Sequence, residues 1–148
     1  MIHIETALDL PFEISLLERA ARSALEHQTA DGDLTLVLTD DEQLQHLNRD
    51  YLGVDAPTDV LSFPASETDP ETGRRYLGDI LLSIPRADAQ ARAAGHPPVD
   101  EVQLLVVHGV LHLLGHDHAE AEEKVKMWKA QGEILKSLGL GHVTIREE

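Results

Sequence analysis

A long apolar segment near the C-terminal end most constrains how this chain can fold. Residues 102–114 are almost entirely apolar, with one glutamine and two histidines, His108 and His112, among them. Pro98 precedes the segment at a favourable first position for a helix, and Gly115 follows it where glycine lets a chain turn out of a helix. A helix that is apolar on nearly every side is buried. The sequence therefore predicts a central buried helix that carries two histidines.

The spacing of these histidines predicts a metal site. Four of the nine histidines fall within residues 108–118, HGVLHLLGHDH. His108 and His112 are four residues apart, so they lie on one helix face, and both imidazoles can reach one ion at about 2.0–2.1 Å. His118 returns after the glycine turn as a third ligand. Three neutral nitrogens leave a position for water, whose pKa zinc lowers toward neutrality. We expect one divalent ion per chain, zinc by preference, in a hydrolytic centre.

Other interpretations of the histidine segment stay open at this point. One histidine on a buried helix is more often a hydrogen-bonded core residue, but two with a third behind them are hard to bury without a shared cation. A purely structural ion would need a fourth protein ligand, which Asp117 could supply because cysteine is absent. The stronger hypothesis is that Asp117 orients a ligand imidazole or caps the following segment. His116 is expected to point away from the metal.

The spacing H-x3-H-x5-H is that of the zincin and metzincin proteases, H-E-x-x-H-x-x-G-x-x-H. Gly109 stands where those proteases have the glutamate that acts as general base. This difference counts against peptide hydrolysis by that mechanism, and a metallopeptidase is the weaker enzyme hypothesis. The sequence identifies no catalytic general base of its own.

The rest of the chain alternates between strand-like and helix-like patterns. Strands are predicted at residues 1–5, 34–38, 60–63 and 79–82. Helices are predicted from Pro11, from the capping box Thr39–Glu42, from Ser83 to Gly95, and over about Glu120–Leu138 with Val125 on its apolar face. No repeat or linker divides the chain. We expect one metal-dependent hydrolase domain over residues 1–148, of α+β class: a small mixed β-sheet packed with about five helices, with the metal site on the buried central helix.

Charge and composition narrow the class of protein. The net charge of −15, from 12 basic and 27 acidic residues, indicates a solvated acidic surface and argues against non-specific affinity for nucleic acid. Arg74, Arg75, Arg86 and Arg92 could form a locally basic cleft if they face one way. No run approaches the roughly 18 apolar residues of a membrane span, and the first 15 residues lack the features of a secretory signal. We expect a cytoplasmic protein.

Three segments resemble the signatures of the YbeY-type endoribonucleases, or rRNA maturation factors. HGVLHLLGHDH at residues 108–118 is similar to the family's metal signature. Asn48, Tyr51 and residues 55–64, DAPTDVLSFP, are similar to its second signature, and residues 77–80, LGDI, to its third. The resemblance covers roughly residues 35–138 with matching order and spacing. One position departs from it, since Leu52 stands where the family typically has an arginine that helps to hold the phosphate.

The resemblance implies a small mixed sheet, a single zinc site at His108, His112 and His118, and metal-dependent cleavage of single-stranded RNA. It implies a role in 16S rRNA 3′-end maturation and ribosome quality control, with 16S rRNA or the small ribosomal subunit as partner. Ser62 and Phe63 would line the cleft beside the metal. The alternative to a ribonuclease is a protein of another functional class, a metal-binding ribosome assembly factor with little turnover. The remaining histidines are expected at the surface: His3, His27, His46, His96 and His142.

Overall fold

The computed structural model describes residues 1–116 and 120–143, and within them the chain forms four strands and five helices. In chain order these are β1 Ile2–Thr6, α1 Ser15–His27, β2 Asp33–Thr39, α2 Asp41–Leu52, β3 Val60–Thr68, β4 Arg75–Ser83, α3 Ile84–Ala94, α4 Pro98–Leu113 and α5 Ala121–Ser137. The predicted α+β class, with a small mixed sheet and five helices, is confirmed. None of these helices is both long and apolar enough to cross a membrane.

The four strands form one sheet in the order β1-β2-β4-β3. The pairs β1–β2 and β2–β4 are parallel, whereas β3 runs antiparallel to β4, to which a short turn connects it. This order places β3 at an edge of the sheet. The backbone N–H and C=O groups on the outer side of an edge strand are not paired within the sheet.

Helices cover the two faces of the sheet unequally. Helix α2 covers one face over a small cluster around Leu44, Leu61 and Leu81. The other face carries the main core, where alternate residues of β2 pack beneath α1, α4 and α5. The predicted buried helix is α4, in which Val106, Val107 and Val110 are fully buried. The histidine-bearing helix is therefore held on the sheet by packing along its length.

A glycine sets how closely α4 approaches the sheet. A Cβ atom added to Gly109 would lie 2.7 Å from Cγ2 of Ile80 on β4, closer than real Cβ contacts allow. A side chain at this position would force either α4 or the Ile80 side chain to move. Gly109 thus lets the turn that carries His108 and His112 lie against the sheet.

Several predicted local details are wrong. Helix α1 begins at Ser15 rather than Pro11. Asp40, not Thr39, caps α2, where its side chain accepts a hydrogen bond from the Gln43 amide over 2.9 Å. Thr39 is the last residue of β2, and its pairing in the sheet outweighs its capping propensity. On α5, Val125 is exposed, so it does not lie on the apolar face of the helix.

The prediction that His96 lies at the surface is also wrong. Its side chain is only 7% exposed and its Nε2 lies 2.8 Å from Oε1 of Glu101, a fully buried carboxylate in the first turn of α4. His96 lies in the short segment between α3 and α4, five residues before Glu101. A contact between a loop and a helix turn leaves no mark in hydrophobic periodicity.

Candidate metal centre

The two helix histidines converge on one point. Nε2 of His108 and Nε2 of His112 are 3.1 Å apart, and their ring centroids are 4.7 Å apart. Two tetrahedral ligands that bind one zinc ion at 2.0–2.1 Å hold their nitrogens about 3.3 Å apart. The separation in this protein is close to that value. The pair therefore fits as two ligands of a divalent ion such as zinc.

A glutamine from another helix fixes the orientation of one of these rings. Nδ1 of His108 lies 2.9 Å from Oε1 of Gln131 on α5, and Gln131 is only 2% exposed. An amide oxygen only accepts hydrogen bonds, so His108 donates from Nδ1. In the neutral ring Nε2 then carries the lone pair that faces His112. Gln131 thus selects the tautomer that a metal ligand needs.

Gln131 was not identified from the sequence, although one signal could have pointed to it. It lies on the buried face of α5 with Met127, Ile134 and Leu135. A polar side chain among buried apolar positions requires a hydrogen-bond partner. That partner is His108, 23 residues earlier in the chain. Trp128 lies one turn before Gln131 on α5. Its ring is edge-on to the ring of His108, with ring centroids 5.9 Å apart.

The histidine pair opens into a cleft at the β3 edge of the sheet. Its lining in the described part of the chain is Leu52, Val60, Leu61, Ser62, Pro64, His108 and His112. The Ser62 hydroxyl donates a hydrogen bond to the Gly109 carbonyl over 3.2 Å, which joins β3 to α4. Phe63, which the resemblance also placed in the cleft, packs instead into the cluster of Leu44 and Leu61 beneath α2.

The predicted third ligand, His118, and the predicted orienting carboxylate, Asp117, lie outside the described residues. Within residues 1–116 and 120–143 no group of three histidine or carboxylate side chains could hold a metal ion. His116 forms a hydrogen bond with another helix, in which its Nε2 donates to Oε1 of Gln28 on α1 over 2.7 Å. The pKa of His116 is lowered, mainly by burial and further by Lys126 and His27. The structure therefore brings together two of the three predicted ligands.

The arginines do not form the basic cleft that their sequence positions allowed. Three of them pair with separate carboxylates: Arg74 with Asp33 at 2.6 Å, Arg86 with Asp41 at 2.8 Å and Arg92 with Asp88 at 3.1 Å. The hydrogen bond from Arg86 is also the main reason that the pKa of Asp41 is lowered. No lysine or arginine is among the described residues that line the cleft. Among the described residues that line the cleft, only Ser62 and the two histidines are polar.

A histidine pair on a buried helix, beside the edge strand of a small mixed sheet, defines an α+β protein with a candidate metal centre in an edge cleft. The family model described as Endoribonuclease YbeY matches residues 7–139. The chain belongs to this family, which confirms the resemblance seen in its motifs.

Individual relatives agree over most of the chain. A protein of Halalkalibacterium halodurans named Endoribonuclease YbeY is 46% identical over 135 residues, which cover 84% of this chain and 83% of that protein. One of the same name from Chloroflexus aurantiacus is 44% identical over 147 residues, 93% of this chain and 96% of its own length. The fold is similar to the solution structure of TM1509 from Thermotoga maritima, with a TM-score of 0.60, 25% identity, and coverage of 100% of this chain and 99% of that one.

Proposed function

We propose that this protein is a metal-dependent endoribonuclease that cuts single-stranded RNA, with one zinc ion per chain held by His108, His112 and His118. The observation that carries the proposal is the 3.1 Å separation of the two histidine Nε2 atoms, which face each other in an open cleft. Membership of a family whose relatives are named endoribonucleases supports the choice of RNA as substrate. Imidazole nitrogens suit zinc better than magnesium or calcium, which prefer oxygen ligands.

Different residues of the site would bind the ion, orient a ligand ring and position the edge strand. When bound, a zinc ion supplies Lewis acidity toward a phosphate oxygen and lowers the pKa of water. His108 and His112 hold the ion through Nε2, and Gln131 keeps the His108 ring in the required tautomer. The hydrogen bond from Ser62 to the Gly109 carbonyl keeps the edge strand beside the histidines. No carboxylate is among the described lining residues, so we assign no protein general base.

We further propose that the natural substrate is 16S rRNA at its 3′ end, within the small ribosomal subunit, and that the protein acts in the cytoplasm in rRNA maturation and ribosome quality control. These roles follow from the family resemblance rather than from the geometry of the site. They predict that purified precursor small subunits are cut by the same metal-loaded protein that cuts short single strands.

A ribosome-binding assembly factor with little turnover is the second candidate function. The cleft favours it because its described lining offers no cation to neutralise the transition-state charge on a phosphate. The peptidase hypothesis gains nothing from the structure. Position 109 faces Ile80 on the sheet, so a glutamate there would meet packed side chains.

Cleavage of an end-labelled single-stranded RNA by zinc-loaded protein tests the proposal. We expect cleavage that is lost on chelation and in His112→Ala, with the metal content of each protein measured by mass spectrometry. His3→Ala is the matched control, since His3 is an exposed histidine on β1. Failure of protein that carries one zinc per chain to cut any RNA would favour the assembly factor, which co-sedimentation with small ribosomal subunits would then test.

The same assay separates two modes of attack. A single 2′-deoxy substitution at the cleaved position removes the internal nucleophile but leaves attack by water intact. Persistent cleavage of that substrate would indicate hydrolysis by water. Its loss, together with cyclic phosphate ends on the ordinary substrate, would indicate attack by the 2′-hydroxyl.

A further inference from the structure

An exposed apolar surface adjoins the metal cleft. Tyr51, Leu52 and Val54 are 69%, 59% and 50% exposed. Seven large hydrophobic residues are exposed in the described part of the chain, and three of them fall within these four consecutive positions. Clustered exposed apolar side chains mark a binding surface more often than scattered ones do. We call these three residues the apolar rim.

The apolar rim is continuous with the cleft. Leu52 lines the cleft together with His108 and His112. The ring of Tyr51 lies edge-to-face with that of Phe63, with centroids 5.6 Å apart and an interplanar angle of 69°. Phe63 is half-buried in the cluster beneath α2, so it supports the tyrosine from a packed position. Tyr51 is therefore a supported aromatic ring at the surface rather than a freely moving side chain.

The charges around the apolar rim limit how it could bind a nucleic acid. The nearest arginine in sequence, Arg49, donates from Nε to Asp50 over 3.0 Å and from Nη2 to Nδ1 of His46 over 2.9 Å. Its guanidinium is thus held by neighbours on α2. No lysine or arginine is among the described residues that line the cleft, so phosphate neutralisation there contributes little. Stacking of bases on aromatic rings is the main remaining interaction available to a single strand.

We propose that the apolar rim is a nucleobase subsite. In this arrangement a base next to the cleaved phosphodiester stacks on Tyr51, while Leu52 and Val54 contact the adjoining sugar and base. The inference rests on the proposed ribonuclease function, since an RNA strand must pass through the cleft. It adds that the strand is held beside the metal mainly by its bases rather than by its phosphates.

Binding of a single-stranded RNA that contains 2-aminopurine tests the subsite without any turnover, because the fluorescence of this base is quenched when it stacks. We expect the wild-type protein to quench it. Tyr51→Ala should weaken binding about tenfold and abolish the quenching, in the range typical of one stacked base. Tyr51→Phe should keep both, because stacking needs the ring and not the hydroxyl. Val125→Ala, at an exposed apolar position of α5, is the matched control and should bind like the wild type.

Two further measurements make the test specific. An RNA with an abasic nucleotide at the stacked position should bind the wild type and Tyr51→Ala equally weakly, because the interaction is already absent. The logarithm of the dissociation constant should change little with the logarithm of salt concentration, with a slope below about 0.7, the value for one contacted phosphate. A steep slope would overturn the inference, as would a Tyr51→Ala defect that persists with abasic RNA.

The outcomes distinguish this inference from the proposed function. Cleavage by both the wild type and Tyr51→Ala, with equal Michaelis constants, would overturn the subsite and leave the ribonuclease function in place. Quenching and base-dependent binding without any cleavage would support the subsite and contradict the ribonuclease function. Normal binding of RNA by Tyr51→Ala, with loss of binding to small ribosomal subunits, would overturn the subsite and assign the apolar rim to a protein partner.

Discussion

Nδ1 of His108 donates a hydrogen bond to Oε1 of Gln131 over 2.9 Å, and this contact joins the histidine-bearing face of α4 to α5. It connects two helices through residues that are 23 positions apart in the sequence. Because Gln131 is buried, the contact is shielded from water and sets the direction of the histidine lone pair. The orientation of the candidate metal ligand therefore depends on a residue of α5.

Gln131→Ala should lower the affinity for zinc by about 10–100-fold, the usual cost of removing a partner that orients a ligand. Isothermal titration with zinc measures this directly. Gln103→Ala is the control, because Gln103 is also buried but, among the described residues, donates to the Val99 carbonyl of its own helix rather than to a histidine. Equal zinc affinities in the two variants would show that Gln131 has no role in orienting His108.

Gly109→Ala should destabilise the protein. Alanine favours a helix over glycine by about 1 kcal/mol, but its Cβ would lie 2.7 Å from Cγ2 of Ile80, and overpacking costs about 1–3 kcal/mol. The free energy of unfolding in urea should fall. In the Ile80→Ala background the same change should cost less, because the clashing atoms are gone. A stabilising effect of Gly109→Ala in the wild type would contradict this account.

The free energy of unfolding at acid pH should depend on Asp41. Its carboxylate accepts hydrogen bonds from Arg86 over 3.0 and 2.8 Å and from Ser83 over 2.9 Å. The hydrogen bond from Arg86 is the main cause of its pKa lying below the usual 3.8, against the opposing effect of burial. A lowered pKa stabilises the folded state above the unfolded-state value, and this stabilisation is lost as the pH falls through the folded-state value.

Between about pH 5 and pH 3 the free energy of unfolding of Asp41→Asn should therefore decline less steeply than that of the wild type. Arg86→Gln should give a similarly shallow decline, and the double variant should be no shallower than either single one. Urea titrations across this range measure the slopes. If the free energy of unfolding changes with pH equally in the wild type and Asp41→Asn, the Asp41–Arg86 ion pair does not contribute to acid stability.

The buried pair of His96 and Glu101 should contribute more to stability than the exposed pair at the same helix end. His96→Ala removes a hydrogen-bond partner from a fully buried carboxylate, which we expect to cost about 1–3 kcal/mol in the free energy of unfolding. His142→Ala breaks the comparable pair with Asp100, but His142 is exposed, so its effect should be small. Chemical denaturation of both variants at neutral pH measures the difference, and equal losses would contradict it.

Much of the fold could be predicted from local patterns. The apolar run of α4, bounded by Pro98 and Gly115, gave a buried helix with both histidines on one face, and Ser83 and Gly95 bounded α3 correctly. Helix starts were less predictable where two roles competed, as at Thr39, which completes a strand instead of capping a helix. Sheet order could not be predicted, because strand pairing depends on contacts far apart in sequence.

The sequence by itself determined that His108 and His112 share one face of a buried apolar helix, because their i, i+4 spacing follows from local geometry alone. Only the tertiary structure decided what surrounds these histidines. It placed β3 at the sheet edge beside the histidines, brought Gln131 to the His108 ring, paired Arg74 and Arg86 with distant carboxylates, and left Tyr51 at the surface against Phe63. These contacts join segments separated along the chain, and the balance of packing and desolvation that selects them is set only when the whole core forms.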